Sequence, residues 1–515
     1  MDHAKKFFPN KRFDIGQPTI RLFIIIFIAA ALAKGLVIFR GYAIDDYGFM
    51  TPGGTINFGL FFSQGRYIFA ATTWFIESIG VNISDLYFSL GIVALFFQAA
   101  FVVSILRFVG MGNSPSAGLV GAIIVAHPYL TEIFTFRIAL SGYSLALIFS
   151  IMALEMVARN PATWCTRALA LLATLAMLFT YQVFLNYFAV AIIFAFIYGQ
   201  VFHKKHSKLL ATNNVYRERA ITLTIISAIA TVAFFSIMRL GKALGLTNGT
   251  GRADLIVFDK IPERIEQVSS SLVSIYWSAE PVFSGWLKIL VALMLVLSIV
   301  IIFWHLLTEK CKENSIGNVL FTFFAFLLLI PVSLGVILPF QDWWPVPRVI
   351  AHVAIIIGFI FLLADSCIQE SANRFLKFTI FISRIVVLVG FVFISNQILI
   401  DQQRINQWDI MMANRIVSRL EMHPSFSNVQ FLYITAGSWG FPAKLRTMQG
   451  DMNISSFFPD YSRIPLLSEV SGYRFEKALG SKASVGEAYC KNRQPWPHSE
   501  SITVDNDVAI ICLKK

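Results

Sequence analysis

Residues 20–39 read IRLFIIIFIAAALAKGLVIF, and about 20 apolar residues are enough to cross the hydrocarbon of a bilayer as one helix. A basic leader with Lys5, Lys6, Lys11 and Arg12 precedes the run, and Arg21 opens it. That leader also suits a secretory signal, but the run is too long for a signal's apolar core and no small-residue cleavage site follows. More apolar runs come after it, so it reads as a first transmembrane helix.

Working outward, about eleven such windows recur, near Ile20–Phe39, Leu86–Phe108, Ala117–Phe136, Ile138–Val157, Arg167–Tyr181, Phe184–Val201, Ile221–Leu240, Gly285–Leu307, Asn318–Leu338, Val349–Ala364 and Phe378–Ile400. Composition agrees. With 56% hydrophobic residues, 14% charged and 49 Phe, and a mean hydropathy of +0.67, the excess apolar side chain must face lipid. The expected fold class is an all-α polytopic membrane protein of about eleven transmembrane helices with a small C-terminal α+β domain. The division is a membrane domain over residues 1–400, with loops 40–85, 241–284 and 339–348, and a tail over 401–515. In the tail, Ile405, Trp408, Met412, Ile416 and Leu420 give Gln402–Leu420 a helical spacing, while Val429–Thr435 and Val508–Leu513 read as strands.

The net charge of +12 is explained by loop cations. With the N-terminus in the cytoplasm, Arg107, Arg159, Arg167, Lys204, Lys205, Lys208, Arg217, Arg219, Lys310, Lys312, Arg374 and Lys377 all stay on that side. An odd number of spans then exports the tail. No aromatic-interleaved basic module is present, so nucleic acid is not an expected partner. Cys165, Cys311 and Cys367 fall in or beside cytoplasmic loops, whereas Cys490 and Cys512 lie in the exported tail, where a bridge is allowed. No CxxC or His/Cys cluster exists, so no metal site is expected. No cofactor is expected either, and a divalent cation is left open, with no motif that demands one. The amphipathic stretch Arg252–Ser271 reads as a scaffold or lid lying on the outer surface.

The first outer loop carries Arg40-Gly41-Tyr42-Ala43-Ile44-Asp45-Asp46-Tyr47-Gly48-Phe49. It sets two adjacent carboxylates just beyond the end of a membrane helix, half in water and half against the bilayer. A carboxylate there can hold a raised pKa and take a proton from a sugar hydroxyl. The plain alternative is a solvated turn stabilised by backbone amides. Other polar groups recur on the same side: Gln64 to Tyr67 with Arg66, then His127, Glu132 and Arg137, then Tyr181, Gln182 and Asn186, and finally Trp343, Trp344 and Arg348. Acid and arginine together suit a sugar phosphate, because Arg neutralises the charge on a departing phosphate. Taken singly, each Arg can snorkel to headgroups, and the Trp pair can be an aromatic belt. Glu77 and Asp85 read as interfacial charges.

An acidic pair after the first span, an Arg-containing loop, a Tyr-Gln near the outer end of a later span and an exported tail together resemble the polyprenyl-phosphate-dependent glycosyltransferases of the membrane-embedded class (GT-C). More narrowly, the layout looks like the bacterial and phage-encoded O-antigen glucosyltransferases that convert serotype. The resemblance implies an enzyme that moves a glucosyl residue from undecaprenyl-phosphate-glucose to lipid-linked O-antigen repeat units on the periplasmic face of the inner membrane. It also implies a donor-synthesising transferase and a flippase as functional neighbours, and no nucleotide sugar. Asp45 or Asp46 is then the base, with Glu132 orienting or sharing that role. Arg66, Arg137, Arg348 and His127 are the donor-phosphate candidates, and Tyr181, Gln182, Asn186, Trp343 and Trp344 the sugar or acceptor contacts. The competing readings are a polytopic transporter or lipid-linked sugar flippase, and a non-enzymatic assembly protein.

The cation asymmetry makes a topological prediction. A reporter active only outside the cytoplasm should give signal when fused at Asn248 or after Arg404 and none at Ser207; strong signal from Ser207 reverses the orientation.

Overall fold

The computed structural model describes residues 17–49, 58–159, 163–199, 213–245, 255–278, 285–308, 315–368, 374–435, 445, 447 and 452–513. Lys5, Lys6, Lys11, Arg12, Lys204, Lys205, Lys208, Arg252, Lys310, Cys311 and Lys312 lie outside the described residues.

The first helix, Gln17–Lys34, is apolar around most of its circumference and closes through a 3-10 turn, Gly35–Ile38. It packs on the helices Tyr87–Val109 and Ala117–Ala126. Tyr87–Val109 ends at Gly110, whose φ of 93° lets its N–H reach back to the carbonyls of Leu106 and Arg107. Among the described residues, six helices are long and apolar enough to cross a membrane, and the broken helix Ala117–Ala126 plus Pro128–Thr135, bent by 55°, makes a seventh if counted as one span. Seven of the eleven expected windows thus fall on helices long enough to span, with the broken helix counted as one. The remaining windows fall on shorter apolar helices, Trp164–Leu178, Phe184–Ile197, Ile316–Val332 and Val353–Ile368. Val353–Ile368 is buried along nearly its whole length. An apolar window signals burial and does not by itself tell lipid from protein neighbours.

The break at His127-Pro128 shows how a bent helix survives in an apolar interior. Pro128 has no N–H to continue the ladder. Ser395 donates to the Ala126 carbonyl at 2.9 Å and accepts from Thr131 at 2.9 Å, while His127 Nδ1 accepts the Tyr129 amide at 3.2 Å. The backbone groups at the bend are thus paired by protein instead of water.

Ser395 belongs to the longest helix, Arg374–Glu421, of 48 residues. At 1.5 Å per residue it is about 70 Å long, more than twice the ~30 Å of a hydrocarbon core. The expected membrane helix Phe378–Ile400 and tail helix Gln402–Leu420 are one continuous rod, so the boundary drawn at residue 400 falls inside a helix. Its far half carries Met412, Ile416 and Leu420 into a second core with Tyr42, Tyr47, Leu432, Phe457 and Trp496. The tail's sheet has the order β2-β1-β4-β3, built from β1 Phe431–Ile434, β2 Glu476–Lys477, β3 Ile502–Asp505 and β4 Val508–Ile511. β1 runs parallel to β2 and β4, and β3 closes antiparallel on β4. Both expected strands are present.

The loop expected at 40–85 is largely helical, with Ile44–Phe49, Phe58–Ser63 and Tyr67–Ser78. The amphipathic stretch forms the helix Ile261–Val273. Arg264 fastens it by donating to the carbonyls of Leu338 at 3.2 Å, Phe340 at 2.8 Å and Gln341 at 3.0 Å.

Cys490 and Cys512 form a disulfide across 22 residues, joining the helix Ser481–Lys491 to the end of β4. Thiol labelling of unreduced, denatured protein should miss both, and Cys490→Ala should lower tail stability by about 2–4 kcal/mol. Full labelling of both thiols would contradict the bridge.

Candidate functional site

The two adjacent acids have different environments. Asp46 is fully buried and accepts the amides of Ala43 at 2.7 Å, Arg137 at 3.1 Å and Ile138 at 2.7 Å. Burial pushes its carboxyl up to about 6, while these amides and the Arg137 charge pull against that rise. With both oxygens occupied by backbone donors, Asp46 ties the helix Ile44–Phe49 to the turn before the helix Ala139–Ala158. Asp45 is only partly buried and accepts the Tyr461 hydroxyl at 2.9 Å.

Tyr461 lies in the tail, on the helix Asp460–Ser471. Its ring rests where Gly48 has no side chain, since a Cβ there would sit 2.5 Å from it. Arg40 reinforces the same contact through an ion pair with Glu469 at 2.8 Å. Tyr42 donates to Asp85, which draws the supposed interfacial charge into the site's frame. Burial and that bond raise the Tyr42 phenol far above its usual range.

Arg137 is also fully buried. It donates to the carbonyls of Phe134 and, at 3.2 Å, Phe39. Burial pulls its guanidinium down to about 10, which still leaves it charged at neutral pH. Gln402 of the long helix donates to the Thr135 carbonyl, closing the turn from the other side.

A second group gathers around Glu132, which is fully buried. Arg348 meets it twice, through its backbone amide at 2.5 Å and Nη1 at 2.6 Å, and lies over the Phe136 ring at 4.7 Å. Arg66 sits over the Tyr181 ring at 5.2 Å. Burial holds the Tyr181 phenol up, while Arg348 and Arg66 pull it down and Glu132 adds to the rise. Gln182 donates to the Gln64 carbonyl at 3.1 Å, pinning the chain just before Gly65 and Arg66. Gly65 has φ +73° and faces Met238, so no side chain fits there. The segment from Glu132 to Ile138 therefore joins both groups.

Other candidates lie further out. Asn186 accepts the Val336 amide at 2.9 Å beside Gly335, holding the approach to the 339–348 loop. His127 caps the helix break. Trp343 lies under Arg264 at 4.5 Å, and Trp344 is exposed. Sequence reasoning missed Tyr461, which no motif marks and which is 416 residues from its partner. It also missed Lys34, fully buried over the Phe134 ring at 5.8 Å. A lysine inside an apolar run was the available signal there. Among the described residues, no group of three or more His, Cys, Asp or Glu is placed to hold a metal ion.

The arrangement offers one accessible, phenol-held carboxylate at the head of the first span and a pair of arginines against Tyr181. Asp46→Asn should lower thermal stability by about 2 kcal/mol, because an amide cannot accept three N–H groups with both of its ends. Asp45→Asn should leave stability almost unchanged. Equal melting of the two variants would contradict their division of roles.

A family model described as "Glucosyl transferase GtrII" matches residues 35–365. The match takes in every candidate from Asp45 to Arg348 and stops before the tail. No curated protein matches the chain.

Proposed function

The chain belongs to the glucosyl transferase GtrII family, and from that premise we propose that it moves glucose from undecaprenyl-phosphate-glucose to lipid-linked O-antigen repeat units at the periplasmic face of a bacterial inner membrane, changing lipopolysaccharide serotype. The family makes the chain a glycosyltransferase, and its apolar helices make it a membrane protein. Donor, acceptor and side are our reading. The observation that carries it is the contrast between Asp45 and Asp46: one acid is spent on backbone amides, and its neighbour stays accessible at the head of a spanning helix.

In this reading Asp45 is the base. It takes the proton of the acceptor hydroxyl as that oxygen bonds the anomeric carbon. The bond from that carbon to the phosphate oxygen breaks, and its electron pair leaves as undecaprenyl phosphate. A lipid phosphate is already a good leaving group, so one base suffices and the anomeric centre inverts. Arg348 and Arg66 neutralise the departing phosphate, with Tyr181 and Gln182 beside them. Glu132 orients Arg348 and is not free to act as base, because Arg348 holds both its oxygens. Asp46, Arg137, His127 and Asn186 hold the frame, and Trp343 and Trp344 border the outer loop.

The periplasmic side is supported by chemistry at both ends of the bundle. The disulfide sits in the same module as Tyr461, and such bonds persist in oxidising compartments. Arg159, Arg167 and Arg219 gather at the opposite end. A flippase would share the broken helix, yet the carbonyl freed at the break is already taken by Ser395.

Asp45→Asn should lower glucosyl transfer at least about a hundredfold with the protein still inserted. Tyr461→Phe should cost less and change the pH dependence, since it removes the hydroxyl that donates to that carboxylate and leaves the carboxylate in place. Arg348→Ala should weaken use of the lipid donor, with Arg348→Lys restoring part of it. Near wild-type transfer by Asp45→Asn would overturn the mechanism.

A further inference from the structure

The end of the bundle away from the sheet holds a cavity of about 330 Å³ that takes no part in the proposed transfer step. It lies at the far end of the helix Ala139–Ala158, some 30 Å from the Arg137 turn at that helix's start. Arg159, Arg167 and Arg219 line it with a single acid, Glu218, so the lining is net positive. The neighbouring Arg107 and Glu155 pair with each other at 3.4 Å and cancel.

Arg219 is built into the wall. Its Nη2 donates to the Ala158 carbonyl at 3.0 Å and its guanidinium lies over Tyr216 at 5.2 Å. Its Nε is buried with no hydrogen-bond partner. Arg167 is exposed on the first turn of the helix Trp164–Leu178.

The surroundings identify what kind of anion fits. Met156 and Ile221 form apolar parts of the wall. Leu169 and Leu172 on the helix Trp164–Leu178, and Ile225 on the helix Asn213–Ala243 that carries Arg219, expose apolar surface away from it. Trp164, 81% exposed, opens the helix that carries Arg167, as interfacial tryptophans do at helix ends. Positive charge at the mouth with apolar surface running into the membrane matches a lipid, with its phosphate above and acyl chains below. Excess positive charge selects an anionic headgroup over a zwitterionic one. We infer that this cavity binds the phosphodiester headgroup of an anionic glycerophospholipid, with Arg167 and Arg219 donating to the phosphate. Arg guanidinium suits that role because it offers a planar pair of N–H donors to two phosphate oxygens.

The test uses the full chain, purified in detergent and probed by native mass spectrometry with dioleoyl phosphatidylglycerol, dioleoyl phosphatidylcholine, glycerol phosphate and inorganic phosphate. The wild type should retain phosphatidylglycerol over phosphatidylcholine, and Arg167→Gln with Arg219→Gln should cut that retention at least about tenfold. Arg167→Gln alone, at an exposed position, should cut it severalfold without disturbing the Arg219–Ala158 bond. Exposed Arg217→Gln should leave it unchanged. Equal retention of the two lipids, or unchanged retention in the Arg167 and Arg219 variants, overturns the site. Saturation by glycerol phosphate or inorganic phosphate without lipid overturns the lipid assignment.

Discussion

A buried carboxylate cannot be left without donors, and the candidate site is arranged around that constraint at Asp46. Removed from water, its charge needs compensation, and it takes three backbone amides from two separate segments. Those bonds set the angle at which the first helix hands over to the loop and at which the turn Phe136–Ile138 enters the next helix. Arg137, buried beside it, spends its guanidinium on the carbonyls of Phe39 and Phe134 and spans the same junction. The accessible Asp45 and the buried Glu132 are both positioned by this crossing.

The long helix Arg374–Glu421 extends the same logic over about 70 Å. Inside the bundle its Ser395 repairs a broken helix, and about two turns further on Gln402 donates to the Thr135 carbonyl. Further along, Asn406 donates to the Tyr47 hydroxyl at 2.8 Å and Asp409 accepts the Ser456 amide at 2.7 Å. One rigid element thereby carries the tail to the acidic loop. Tyr461 reaches Asp45 only because Gly48 leaves room for its ring. Through Tyr461 the tail touches the candidate site, although the family match ends at residue 365.

Much of this was legible in the sequence. Apolar windows located the helices, and the strands Phe431–Ile434 and Val508–Ile511 fell where β-branched and aromatic residues alternate with turn signals. Four of the eleven windows fall on shorter apolar helices, and hydropathy reports burial without naming the neighbour, as Val353–Ile368 shows. Asp45 and Asp46 were singled out together, but adjacent residues point different ways and only the fold assigns amides to one of them. Glu132 with Arg348 and Asp45 with Tyr461 are separated by 216 and 416 residues, so no local pattern could pair them. The continuous helix through residue 400 was hidden by a change in composition that did not interrupt the backbone.

The central claim is that a lipid-linked sugar, and not a nucleotide sugar, is the donor. Purified protein in liposomes with a lipid-linked O-antigen repeat should be given isotope-labelled glucose either on undecaprenyl phosphate or on a nucleoside diphosphate. The account predicts label on the acceptor from the lipid donor alone, with one undecaprenyl phosphate released per glucose transferred. Label arriving from the nucleotide donor, or no transfer from the lipid donor by inserted protein, would contradict it.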